Sequence, residues 1–128
     1  MANFEGTITN FVAGDDLTVE RTITLIPSGQ ILTTAWLTVK RKVSDTDIQA
    51  VLQKVITSSL VPNVGQIDDT GADGTGHLIF YIIAAETVLL TPYSEYRYDI
   101  QVKLNGGAIS TPELGTIVAF PQATLATS

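Results

Sequence analysis

A single histidine and no cysteine set the limits of side-chain chemistry in this sequence. Without cysteine there can be no disulfide, no thiolate zinc ligand and no thiol nucleophile. Such a composition suits a reducing compartment. His77 opens the apolar run "HLIFYII", and a catalytic histidine needs a nucleophile or carboxylate held at hydrogen-bond distance. No G-x-S-x-G elbow and no G-x-x-x-x-G-K-[ST] phosphate loop accompanies it. His77 therefore reads as a strand-end residue beside a loop. Asp68, Asp69 and Asp73 in "DDTGADGTG" offer hard oxygens of the kind calcium takes. The twelve-residue calcium-loop spacing fails, because no Glu closes it, so this stretch reads as a solvated turn. Asp15 and Asp16 after Gly14 read likewise as a turn before a strand. Lys40-Arg41-Lys42 is the one basic cluster in a chain of net charge −6. It reads as a solvated strand end, and the acidic balance argues against a general nucleic-acid face. The expectation is a protein with no catalytic residue, no cofactor and no metal, and not an enzyme.

Tyrosines are the other concentrated resource. Three of the four, Tyr93, Tyr96 and Tyr98, fall within "YSEYRY". From Glu95 to Leu104 the odd positions are polar and the even ones, Tyr96, Tyr98, Ile100, Val102 and Leu104, are apolar or aromatic. Strict alternation predicts a strand with those five side chains inward. Tyr93 lies outside the pattern. Buried tyrosine hydroxyls need partners. A tyrosine near the start of a late strand that turns back to the preceding corner is a feature of immunoglobulin-like sandwiches. Tyr96 and Tyr98 are the candidates, and Glu86 to Leu90 is the candidate corner.

The elements that must hold these residues are mostly strands. "DDLTVERTITLI" puts Leu17, Val19, Ile23 and Leu25 on one face, with Arg21 as the one break. "PSGQ" is turn chemistry. "ILTTAWLTVKRKV" then aligns Ile31, Ala35, Leu37, Val39 and Val43, with Leu32 and Trp36 opposite. Residues 44–57 change period. Ile48, Val51, Leu52, Val55 and Ile56 fall at helical spacing behind a Ser44/Asp47 cap, which predicts one short amphipathic helix. A short strand is expected around Val64 to Ile67. "HLIFYII" reads as a central strand covered on both faces, Asn105-Gly106 as a hairpin turn, and "LGTIVAF" at 114–120 as a last strand, with Pro112 interrupting the run before it.

Chain length fits one domain able to bury a core without covalent staples. The longest apolar run, Leu78 to Ala85, is far short of the ~18 residues of a membrane helix. "MANFEGTITN" has no basic segment followed by an apolar one, so no signal peptide is expected. The predicted fold is all-β: an immunoglobulin-like antiparallel β-sandwich with one short helix. A partly open barrel is the alternative. Residues 14–120 form the sandwich domain, 1–13 an N-terminal arm or a first strand, and 121–128 a C-terminal tail.

"GDDLTVERTITL", "AWLTVKR", "T-x-x-L-x-x-x-x-Y-x-Y-D-I-Q-V-x-x-x-x-G" and "STPELGTI" occur in that order over roughly residues 11–120. The layout resembles tailed-phage structural proteins. It is similar to the immunoglobulin-like N-terminal module of phage baseplate upper proteins and to small capsid cement or decoration proteins. Segment 44–70 is longer than in that layout, and the chain stops soon after the module, which favours a small free-standing component. The resemblance implies a virion structural protein assembled in the host cytoplasm. Its partners would be the major capsid protein and copies of itself, arranged as a trimer, with no nucleic acid, membrane or small-molecule substrate. A tail or baseplate component and a generic adhesion or carbohydrate-binding sandwich are the alternatives. Phe4, Ile8 and Val12, on one side of an extended N-terminal segment, are the candidate contact residues.

Overall fold

The computed structural model describes residues 4–42, 45–46 and 49–122, with side chains from residue 6 onward. Among these residues eight strands make two packed sheets. In chain order they are β1 (Phe4–Ile8), β2 (Leu17–Ile23), β3 (Leu32–Lys40), β4 (Leu52–Ile56), β5 (Gly65–Asp69) and β6 (Gly76–Ile82). The short helix α1 (Ala84–Thr87) follows, then β7 (Tyr96–Leu104) and β8 (Ile109–Ile117). One sheet has the order β1-β8-β7-β3-β4 and the other β2-β6-β5. The architecture is the expected all-β, immunoglobulin-like sandwich, not a barrel.

β7 has the alternation read from its sequence. Tyr96, Tyr98, Ile100, Val102 and Leu104 are all buried. They pack with Leu37 and Val39 of β3, Leu78 and Phe80 of β6, and Ile117 of β8 in one core. β7 and β8 are joined by a tight hairpin, in which Gly107 supplies the positive φ the turn requires.

Several expectations change. Residues 52–56 form strand β4, where a helix was expected. Leu52, Lys54 and Ile56 point inward, and Gln53 and Val55 outward. The β-branched Val55 and Ile56, with an antiparallel neighbour in β3, prevail over a helical spacing that short apolar runs only weakly specify. Ser44, Asp47, Ile48 and Val43 lie outside the described residues, as does the tail from 123. The described helix is instead α1, which follows β6. "HLIFYII" is buried on one face only, since His77, Ile79 and Tyr81 are half-exposed. Leu25 lies beyond the end of β2, exposed and at φ 57°, and Ile26 takes the buried place.

Two bulges account for the remaining differences. An extra residue on β3 between Leu32 and Thr34 returns Leu32 to the core. On β8 two residues, Thr111 and Pro112, lie between Ser110 and Glu113 where β7 has only Gln101 between Ile100 and Val102, so the strand runs through Pro112 at an irregular step. The N-terminal segment is a strand of its own sheet: β1 pairs with β8, and in parallel, from Phe4↔Glu113 to Ile8↔Ile117. Their approach is close, since a Cβ on Gly115 would lie 1.8 Å from the Gly6 carbonyl. Ile8 is buried and Val12 bridges to Phe120, so both are engaged within the fold.

Candidate interaction surface

Two features stand out where the strands meet, one interior and one exposed. The interior one begins with Arg21, the single break in the apolar face of β2. Alternation turns it inward, toward the opposite sheet. There its Nε donates to Glu113 Oε1 at 2.6 Å and its Nη2 to Glu113 Oε2 at 3.1 Å. The Tyr98 hydroxyl donates to the same Glu113 Oε2. Glu113 is almost wholly buried, at 2% exposure. Burying a carboxylate is costly unless it is paired and hydrogen-bonded, and Glu113 has three donors. Burial and then the bond to Glu113 push the Tyr98 hydroxyl well above the ordinary tyrosine value. The bond to Glu113 likewise raises Arg21, against the opposing effect of its partial burial. The three residues come from β2, β7 and β8 and tie the two sheets together.

A second polar tie lies at the other side of the sandwich. Lys54 points inward from β4. Its Nζ meets Glu86 Oε1 of α1 at 2.5 Å and donates to the Asn63 carbonyl at 3.0 Å. Glu86 Oε1 also accepts from the Ile83 N–H at 3.0 Å, which caps the first turn of α1. Beside it the fully buried Thr87 hydroxyl donates to the Asp15 carbonyl at 2.7 Å and accepts from Gly14 N–H at 2.9 Å.

The tyrosine corner belongs to Tyr96. Its hydroxyl accepts the Thr91 N–H at 3.0 Å, and the Arg41 guanidinium sits 6.0 Å from its ring centre. Tyr98 serves the inter-sheet bridge instead. Tyr93, the one outside the alternation, is 70% exposed at φ 64°. Its ring meets Phe120 edge-on with centroids 6.1 Å apart.

The acidic and histidine candidates are engaged locally. His77 Nδ1 lies 2.6 Å from Asp68 Oδ1, and its Nε2 lies 3.7 Å from Glu20. Asp69 Oδ1 accepts the Gly71 N–H and Asp73 Oδ1 the Thr75 N–H, both turn-forming bonds. Among the described residues no group of three His, Asp or Glu is placed to hold a metal ion. Lys40 stands directly opposite Arg97 across β3 and β7.

Sequence reasoning missed the meeting of Arg21 with Glu113. Its signal was present, since a charged residue in the inward register of a strand requires a buried counter-charge. What was missing was the partner's position ninety-two residues away. Comparison of the chain with protein-family models and with curated proteins gives no match.

Proposed function

We propose that this protein is a non-enzymatic structural component of a tailed-phage virion, a capsid cement or decoration protein that binds the shell lattice and stabilises it. One observation carries the reading. The short motifs that resemble the phage layout supply the three residues of the inter-sheet bridge: Arg21 from "GDDLTVERTITL", Tyr98 from "Y-x-Y-D-I-Q-V" and Glu113 from "STPELGTI". Motifs that looked independent along the chain act together as one structural unit. The polar groups at that unit are engaged in closing the sandwich, which fits a scaffold that works through its surface. The partners are the major capsid protein and further copies of this chain, with a trimer as the preferred arrangement. Binding through an N-terminal arm is not part of the proposal, because β1 is engaged in its own sheet.

The test is to add purified protein to phage particles prepared without it. Occupancy is measured by cryo-electron microscopy, and the temperature of DNA release is recorded. Ordered density on the shell and a raised release temperature are expected. Density confined to the tail would replace the cement role by a tail or baseplate role. No particle-bound protein at all would reject the virion reading.

A further inference from the structure

The outer face of the three-stranded sheet turns Thr18 and Glu20 of β2, Ile79 and Tyr81 of β6 and Gln66 of β5 toward solvent. Where β6 runs into α1, this face opens into a cavity of about 260 Å³ walled by Asp16, Thr18, Asn63 and Tyr81. Three of its walls are held by hydrogen bonds. The Tyr81 N–H donates to the Val64 carbonyl at 3.0 Å. Asp16 Oδ1 accepts the Ala84 N–H at 2.8 Å, and the Asn63 carbonyl accepts from Lys54 Nζ at 3.0 Å. An entering group therefore meets an exposed carboxylate, an amide and a half-exposed aromatic ring that need little reordering to receive it.

The distribution of charge over the whole chain decides what that group is. Arg21 and Lys54 point inward and are paired with Glu113 and Glu86. The other five cations, Lys40, Arg41, Lys42, Arg97 and Lys103, all belong to the five-stranded sheet and its β3–β4 connection. The first four lie at the end of the sandwich where the cavity opens, on the opposite sheet. They share those elements and the segments leading into them with five acids, Glu5, Asp45, Asp47, Glu95 and Asp99. Asp45 Oδ2 accepts the Lys42 N–H, and Glu95 lies 3.8 Å from Arg97. The remaining six acids, Asp15, Asp16, Glu20, Asp68, Asp69 and Asp73, lie on the three-stranded sheet and the turns at its ends, with no outward Lys or Arg. The net charge of −6 therefore sits on this side. His77, between Asp68 and Glu20, cannot balance it even when charged. A second copy has no side with surplus positive charge to set against it, so the occupant is a different protein. We infer that this face docks a partner protein through a basic surface, and that one Lys or Arg side chain of that surface enters the cavity, its cation over the Tyr81 ring and against the Asp16 carboxylate. That the partner is the shell protein rests on the function proposed above; that it is basic does not. The contact weakens with salt, because both groups lie near solvent.

The experiment follows the amide NMR signals of the full chain during titration with Gly/Ala peptides carrying a central pair of Arg, Gln or Glu, and with methyl glucoside. The Arg peptide alone should shift Asp16 to Thr18, Asn63 and Tyr81 to Ile83, a readout on wild type that depends on no variant folding. Tyr81→Val keeps a β-branched residue in β6 and should bind the Arg peptide at least ~10-fold more weakly, the range of an interface anchor. Asp16→Asn keeps the acceptor for the Ala84 N–H. It should weaken binding more than Glu95→Gln, which removes the same charge from the segment leading into β7. Equal effects of those two changes would mean that total charge acts and not this site, and would overturn the inference. No shift with the Arg peptide, equal shifts with the Gln or Glu peptide, shifts confined to other residues, or undiminished binding by Tyr81→Val would each do the same. Shifts at these residues with the glucoside and not with the Arg peptide would replace the basic partner by a saccharide. The particle assay separates this inference from the virion reading. Arg-peptide binding without particle binding rejects the virion role alone, and equal particle occupancy by Tyr81→Val rejects this face as the site on the shell.

Discussion

Tyr98 and Tyr93 are five residues apart in the chain and do opposite work. Tyr98 lies in the interior, where its hydroxyl completes the coordination of a buried carboxylate. Among the described residues, no buried side-chain nitrogen or oxygen lacks a partner. Tyr93 lies at the surface, where an aromatic ring is held against water in a disfavoured backbone conformation. The interior pairs its polar side chains, among the described residues, and so specifies how the two sheets face each other. The exposed end leaves apolar area uncovered, which lowers nothing in the isolated molecule and is useful only when something covers it. Stability and binding should therefore separate cleanly between the two regions.

The strongest way to break that comparison is Glu113→Ala. It leaves the Arg21 guanidinium and the Tyr98 hydroxyl facing each other without their common acceptor. Removing one member of a buried charged cluster costs about 3–5 kcal/mol, and the partial exposure of Arg21 places the expected loss toward the lower figure. Denaturant midpoints measure it. A loss below about 1 kcal/mol would mean that the cluster does not close the sandwich. The triple change Arg21→Met, Tyr98→Phe and Glu113→Leu sharpens the point. It removes every charged and hydroxyl group together, and should recover most of the lost stability.

Tyr98→Phe comes next, at about 1.5–3 kcal/mol, because the lost bond runs to a charged acceptor. It also has a pH signature. The folded-state pKa of Tyr98 is raised, so the folded protein holds a proton that the unfolded chain releases near the ordinary tyrosine value of about 10. The stabilisation is fully present below that pH and is lost as pH rises toward the folded-state value. Wild type should thus lose stability on the alkaline side more steeply than Tyr98→Phe. Parallel pH profiles would show that the hydroxyl is not held protonated by the fold.

Elements with a strict period were legible in the sequence. β7 could be read residue by residue, because ten positions alternate and only one register buries the apolar set. β4 could not, because Val51, Leu52, Val55 and Ile56 satisfy helical and extended spacing alike, and the deciding factor is the neighbouring strand β3. The bulge at Thr33 leaves no local mark, and the one near Pro112 shows only as a break in the run, yet each reverses which side chains face inward. The same limit applies to the site. Arg21 was visible as a break and Tyr93 as an exception. Pairing Arg21 with Glu113, or Tyr93 with Phe120, depends on tertiary register that one sequence does not display.

Tyr96→Phe should cost less than either interior change, about 0.5–1 kcal/mol. The ring stays buried, and only the corner bond from Thr91 N–H is lost. Thr91 is exposed, so water can replace the missing acceptor. A loss as large as that of Tyr98→Phe would move the corner into the same class as the inter-sheet bridge.

Tyr93→Gly is the smallest expected effect and the most informative about the exposed end. Three terms oppose one another. Glycine relieves a left-handed conformation that costs a bulky residue on the order of 1 kcal/mol. It also adds unfolded-chain freedom worth roughly 0.5–1 kcal/mol against folding. The edge-on contact with Phe120 is lost as well, at the lower end of about 0.5–1.5 kcal/mol because both rings are exposed. The sum should leave the denaturant midpoint within about 0.5 kcal/mol of wild type, as for ordinary surface changes. A loss of stability above about 1.5 kcal/mol would make Tyr93 part of what holds the sandwich closed, outside the range of surface substitutions. The contrast with Tyr98 would then be one of degree, and the exposed end would have to be read as structure first.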